Sequence, residues 1–301
     1  MHPHPPLTAP APYNEMYSPG DTRPPNRAET PKAEGAQHPF LEYYLGRPRE
    51  LFYFAGQGAR TEDISEEEVR RMRATYLGLI SEVDAHIGRI VQRLKDQGDW
   101  EDTLIVFTVD HADMLGDHWM FGKDGYFDPA FHIPLIVRDP RREADAGRGT
   151  VVESFTEAVD LMPTILEWLG GTPPRQCSGR SLRPFLEGRT PDDWRSAVHW
   201  EYDFRDVVGG KAQQALGLDD DACCLAVHRE KRFKYVHFAG LPPLLFDLEA
   251  DPREFADLSG DPAHRETLLR CAQEMLSRRM AHAERTLSNI LVTPRGPIAR
   301  G

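Results

Sequence analysis

Thr103-Leu104-Ile105-Val106-Phe107-Thr108-Val109-Asp110-His111 is the stretch that decides how this chain folds. Seven apolar or β-branched residues in a row stop abruptly at an acid and an imidazole. A run of that length and composition predicts a strand buried on both faces, because nothing in it gains by facing water. In an open α/β sheet, ligands bind beyond the carboxyl ends of the strands. The run therefore delivers Asp110 and His111 to the place where such a fold builds a site. A carboxylate beside an imidazole is a donor pair for a divalent cation. For these two residues alone, a helix N-cap at Asp110 with an uninvolved His111 is the competing reading.

Upstream, Ser65-Glu66-Glu67-Glu68 is a capping box. Behind it Val69, Met72, Tyr76, Leu79, Val83, Ile87, Ile90 and Leu94 form one apolar stripe, which predicts a helix ending near Gly98 with that stripe as a core face. Helix followed by buried strand is the order of an α/β layer. Downstream, the patterns predict a strand over 133–138, a loop over 139–150, a helix over 156–169 and a strand over 197–201. Residues 222–228 and 233–238 then read as a hairpin around a charged turn, followed by a short strand at 244–248 and a helix over 262–283. The aromatics Phe40, Tyr43, Tyr44, Phe52, Tyr53 and Phe54 predict a short packed helix and loop. Residues 1–39 are Pro-rich and polar, a composition that by itself predicts an extended, disordered segment. The boundaries read as 1–39, an α/β portion over 40–190, a C-terminal subdomain over 191–291, and a loose tail over 292–301.

The 301 residues suffice for a domain-sized core, and the net charge of -12 argues against nucleic acid or an anionic membrane as partner. It leaves a small anionic substrate open, since a local cation and a Lys override the global field. Cys177, Cys223, Cys224 and Cys271 show no metal-ligand spacing in sequence and read as reduced thiols, which with the lack of a signal-peptide core predicts a cytoplasmic location. No apolar run approaches the length of a membrane span.

Further motifs extend the reading. After Asp110-His111 come Leu115-Gly116-Asp117-His118, Gly122-Lys123 and His132-Ile133-Pro134. Before them stands His2-Pro3-His4-Pro5-Pro6. After them come Gly179-Arg180-Ser181-Leu182-Arg183-Pro184-Phe185-Leu186 and then Leu245-Phe246-Asp247-Leu248. In this order they resemble the sulfatase family of the alkaline phosphatase superfamily, in particular its phosphonate monoester hydrolase and arylsulfatase branch. The resemblance implies an α/β fold: an alkaline-phosphatase-like mixed sheet flanked by helices, here incomplete, with a small C-terminal β-hairpin and helix subdomain.

The same resemblance implies a metal-dependent hydrolase of sulfate or of phosphate/phosphonate monoesters. Asp110 and His111 match the family's metal ligands, for Mn²⁺, Ca²⁺, Mg²⁺ or Zn²⁺. Lys123 matches the lysine that stabilises charge as the ester bond breaks. His4 matches the histidine that hydrogen-bonds the ester or protonates the leaving group. Asp113 and His118 are expected nearby but not as ligands. Two departures stand out. Ala112 replaces the family's glycine, which would strain the loop if φ there were positive. More seriously, no Cys, Ser or Thr is followed two residues later by Pro and four later by Arg, so the formylglycine nucleophile segment is absent from this sequence. The resemblance is to a C-terminal portion. A non-catalytic remnant, or a subunit completed by a separate N-terminal half, are the alternatives to an enzyme in its own right; a homo-oligomer is compatible with each. An exposed apolar sheet edge and poor solubility follow from that incompleteness.

Overall fold

The computed structural model describes residues 2–47, 53, 63–283 and 290–299. Two short helices, α1 (Pro31–Gly35) and α2 (Pro39–Gly46), precede the long α3 (Glu66–Gln97). The capping box forms as the sequence predicts: Ser65 Oγ accepts from the Glu68 amide, and Glu68 accepts from the Ser65 amide at 2.8 Å. Gly98, at φ 81, closes the helix in the left-handed conformation that glycine adopts without steric cost.

The apolar run becomes β1 (Ile105–Thr108), which pairs antiparallel with β2 (Leu135–Arg138) in register Ile105↔Arg138 and Thr108↔Leu135. The helix α4 (Asp128–Phe131) lies between them in sequence, and α5 (Leu161–Trp168) and α6 (Arg183–Leu186) follow. A four-stranded antiparallel sheet then forms from β3 (Ala197–Asp203), β4 (Cys224–Glu230), β5 (Phe233–Phe238) and β6 (Leu244–Asp247), in that order, with α7 (Lys211–Leu216) between β3 and β4 in sequence. The expected hairpin is thus the centre of a larger sheet. Strand alternation gives this sheet two apolar faces. Leu225, Val227, Val236, Phe238, Leu244 and Phe246 pack with Phe40 and Tyr44 of α2 and with Met114, Met120, Tyr126 and Phe127 of the loop after β1. Ala226, Tyr235 and Leu245 pack under Cys271 and Met275 of α8 (Arg265–Ala281).

Four expectations need correcting. The β1 strand is half-buried along its whole length rather than buried on both faces, because its two-stranded sheet has no further strand beside it among the described residues; Ile136 on β2 is 64% exposed. The helical stripe is a core face only over its first half: Val69, Met72 and Leu79 are buried, whereas Ile90 is 63% exposed. Residues 292–301 are not simply a loose tail: β7 (Ile290–Thr293) and β8 (Gly296–Ala299) form a hairpin, in which a β-branched run meets a turn ending in Gly296 at φ 107. The Pro-rich N-terminal segment is ordered by specific contacts. Arg70 and Arg73 of α3 donate to the carbonyls of Thr22, Arg23 and Pro24, Tyr17 bonds Ser81 at 2.8 Å, and Trp119 donates to Ala28 O at 2.9 Å. Of the aromatics over 40–60, Phe40, Tyr44 and Tyr53 are buried, while Phe52 and Phe54 lie outside the described residues. No described helix is long and apolar enough to cross a membrane.

Candidate active site

Beyond β1 the chain makes a closed loop whose geometry brings two distant motifs together. Asp113 is the clasp. Its carboxylate accepts from the Leu115 amide at 2.9 Å, the Gly122 amide at 3.0 Å and the Tyr53 hydroxyl at 2.9 Å. The Met114 amide donates to Gly122 O at 2.8 Å, so both ends of residues 113–122 are tied. Within the loop Leu115, Gly116, His118 and Trp119 all have positive φ, a concentration of backbone strain that the surrounding bonds must hold. Burial raises the Asp113 carboxyl above its usual range, against the hydrogen bonds it accepts.

Closing the loop places Lys123 beside His111, with Nζ 2.6 Å from Nε2. His111 Nδ1 lies 2.9 Å from Ala112 O; a carbonyl only accepts, so Nδ1 carries the proton and Nε2 presents a lone pair. Asp110 Oδ2 is 3.4 Å from the same Nε2, and its side chain is 85% exposed. The His111 amide bonds Asp110 Oδ1, and this bond, with the nearby His111 and Lys123, holds the Asp110 carboxyl below its ordinary value. Asp110 Oδ2 and the Lys123 ammonium thus each approach the lone pair of His111 Nε2. The donor pair fits a divalent cation: the imidazole is already in the ligating tautomer, and the carboxylate faces outward with an oxygen to spare. Ala112 is not among the residues with positive φ, so replacing the family's glycine costs no strain here.

The remaining candidates separate. His4 is exposed, and its Nδ1 donates to Pro5 O at 2.6 Å, leaving Nε2 outward. Its segment is anchored three residues on: Leu7 is buried with Tyr53, Val69, Met72 and Phe121, and its amide donates to Tyr53 O. Tyr53 in turn reaches the Asp113 clasp. His118 points away from the site. It is buried, stacked on Phe127 at 3.6 Å, and its Nδ1 lies 2.7 Å from Glu34. Two residues that the sequence reading passed over support the loop from the second sheet. Tyr202 on β3 donates to Asp124 at 2.6 Å, and Lys234, fully buried on β5, lies 2.6 Å from both Asp128 and Glu254. Neither contact leaves a local signal, since partners lie 78 and 106 positions apart in the chain in the first two cases.

An alkaline-phosphatase-like α/β body with an acid–imidazole–lysine cluster at the end of β1 defines a class, and the family models agree with it. The Sulfatase model matches residues 1–171, and the N-sulphoglucosamine sulphohydrolase C-terminal model matches residues 116–281. The chain belongs to the sulfatase family. Among its relatives, the multifunctional alkaline phosphatase superfamily protein PehA of Trinickia caryophylli is 48% identical over 298 residues, covering 99% of this chain and 58% of PehA. The arylsulfatase of Clostridium perfringens is 26% identical over 268 residues, 89% of this chain and 50% of that protein. The phosphonate monoester hydrolase of Agrobacterium radiobacter superposes with a TM-score of 0.94 at 45% identity, over 100% of this chain and 59% of that one. The enzyme of the same kind from Silicibacter pomeroyi gives 0.90 at 42%, over 99% and 58%. The chain therefore spans between half and three fifths of the length of these four proteins.

Proposed function

We propose that residues 1–301 carry the metal-and-lysine half of a site that hydrolyses phosphate, phosphonate or sulfate monoesters. The observation that supports this most is the approach of Asp110 Oδ2, at 3.4 Å, and Lys123 Nζ, at 2.6 Å, to His111 Nε2 just beyond the end of β1. Asp110 and His111 would hold the cation, which when bound withdraws charge from an ester oxygen. Lys123 would bond the same ester group and offset the charge that develops as the bond breaks. His4 belongs to a segment anchored to the loop clasp, and in its imidazolium form, with Nδ1–H kept by Pro5 O, its Nε2–H would donate a proton to the leaving group. The nucleophile would come from residues outside this sequence, which has no Cys/Ser-x-Pro-x-Arg segment. The names of the relatives favour phosphonate monoesters alongside sulfate esters.

A fusion tests this. Residues 1–301 joined to the portion of PehA that lies outside the match should turn over aryl phosphonate monoesters with added Mn²⁺, and Asp110→Ala or Lys123→Ala should remove at least 100-fold of that rate. The 301 residues alone should show no turnover above a metal-only control. Robust turnover by the 301 residues that survives Asp110→Ala would refute the assignment.

A further inference from the structure

On the far side of the second sheet, β4 and α8 bring four ligating side chains to one place. His228 and Glu230 are two apart on β4 and so share a face; Cys271 and Glu274 are three apart on α8 and so share a face. The two faces meet. One oxygen of Glu230, the Cys271 sulfur and a ring nitrogen of His228 lie within 4.8 Å of one another. Beside these three, Glu274 Oε2 lies 3.3 Å from His228 Nε2, and Glu230 Oε1 is 3.0 Å from that same nitrogen. For a tetrahedral ion with bonds of about 2.0 Å to nitrogen and oxygen and about 2.3 Å to sulfur, neighbouring ligand atoms sit roughly 3.3–3.5 Å apart. The two His228 edges, at 3.0 and 3.3 Å, are close to that already, and the Cys271 sulfur lies within 4.8 Å of the His228 nitrogen and the Glu230 oxygen. Cys271 is fully buried and His228 nearly so, while Glu274 is half-exposed and leaves a way in.

The surroundings point the same way. His228 Nδ1 is 2.8 Å from His199 Nε2, and His199 Nδ1 is buried with no hydrogen-bond partner, 3.9 Å from Glu157 Oε1. While His228 Nε2 carries the proton toward Glu230 and Glu274, His228 Nδ1 must accept from His199, and His199 Nδ1 is left orphaned. With an ion on Nε2, that ring proton moves to Nδ1 and is donated to His199. The His199 proton then sits on Nδ1, facing Glu157. Only in that tautomer does the orphan nitrogen turn a proton toward a carboxylate, Glu157 Oε1 at 3.9 Å. Charge also closes: the carboxylates of Glu230 and Glu274 and a Cys271 thiolate carry three negative charges, against Arg270, which bonds Glu230 at 2.9 Å, and one divalent ion.

We propose that His228, Glu230, Cys271 and Glu274 form a tetrahedral site for a borderline divalent ion such as Zn²⁺, pinning α8 to β4 and separate from the Asp110–His111 cluster. Binding converts the Cys271 S–H into a sulfur–metal bond and releases that proton to solvent, while the two ring protons each shift by one nitrogen. Without a metal, burial pushes the Cys271 thiol up to about 11, so the same thiol would be inert.

Cobalt distinguishes this site from the Asp110–His111 cluster, which has no sulfur. The full 301-residue chain titrated with Co²⁺ in the presence of a thiol-free reductant should develop a near-ultraviolet sulfur-to-cobalt band that saturates at one equivalent. Cys271→Ser should abolish the band, and His111→Ala should leave it unchanged. Glu274→Gln, at a half-exposed position that tolerates the change, should keep the fold and weaken Co²⁺ binding at least tenfold. No band in the unaltered chain, a band that persists in Cys271→Ser, or unchanged affinity in Glu274→Gln would each overturn the proposal.

Discussion

The ammonium of Lys123 lies 2.6 Å from Nε2 of His111, twelve residues earlier in the chain and across a closed loop. An ammonium held on an imidazole lone pair occupies the approach that a metal ion would use, so the two cations compete for it. Lys123→Ala should therefore tighten Mn²⁺ binding by the 301 residues roughly threefold or more, while the fused enzyme loses turnover. Isothermal titration of both proteins reads the first effect and steady-state kinetics the second. Weaker Mn²⁺ binding in Lys123→Ala would show that the lysine supports the cation site rather than competing for it.

The loop clasp is the second point of test. Asp113 accepts from two backbone amides and from the Tyr53 hydroxyl. Asp113→Ala leaves buried donors unpaired and should cost about 3 kcal/mol, whereas Tyr53→Phe removes one bond and should cost about 1 kcal/mol. Urea denaturation gives both numbers. Amide exchange at Gly122 should accelerate selectively in Asp113→Ala, because that amide loses its acceptor.

A third prediction concerns the buried Lys234, which lies between Asp128 and Glu254. Lys234→Ala strands two carboxylates that were neutralised by one ammonium, and it should destabilise the fold by about 3–5 kcal/mol. Lys234→Ala combined with Asp128→Asn and Glu254→Gln should recover a good part of that loss. A single substitution that proves neutral in urea titration would contradict the ion triad.

Acid stability supplies a fourth. Burial alone would raise the Asp139 carboxyl, but hydrogen bonds from Arg141 and the Trp168 indole outweigh it and bring the group down to about 2. Its folded value is below its unfolded value near 3.9. It therefore contributes stability that is fully present above about pH 4 and is lost as pH falls toward 2. Asp139→Asn should flatten the pH dependence of stability in that window and leave its shape above pH 5 unaltered.

The sequence foretold what is local. The capping box at Ser65, the left-handed stop at Gly98 and the strand that ends before Asp110 depend on near neighbours, and each formed. Asp110, His111 and Lys123 were legible as candidates because their motifs run in family order, and the loop joins them. What escaped was long-range. The half-exposure of β1 and of the later α3 stripe depends on what packs against them, which no periodicity records. Met162 and Leu169 on and after α5 share that exposure, and such apolar surface predicts self-association of the isolated chain. The Pro-rich segment looked disordered because its order comes from arginines on α3 rather than from its own composition. Cys271 showed no ligand spacing because its neighbours His228 and Glu230 lie on a strand some forty residues away.

The central claim is that Asp110 and His111 together grip a divalent cation beside Lys123, and the NMR signals of the His111 ring test it most directly. Sub-stoichiometric Mn²⁺ should broaden the His111 ring protons in the 301-residue chain, and Asp110→Ala should restore them at the same Mn²⁺ concentration. If the His111 resonances stay sharp, or broaden equally with Asp110 removed, no cation is held there and the hydrolase reading fails.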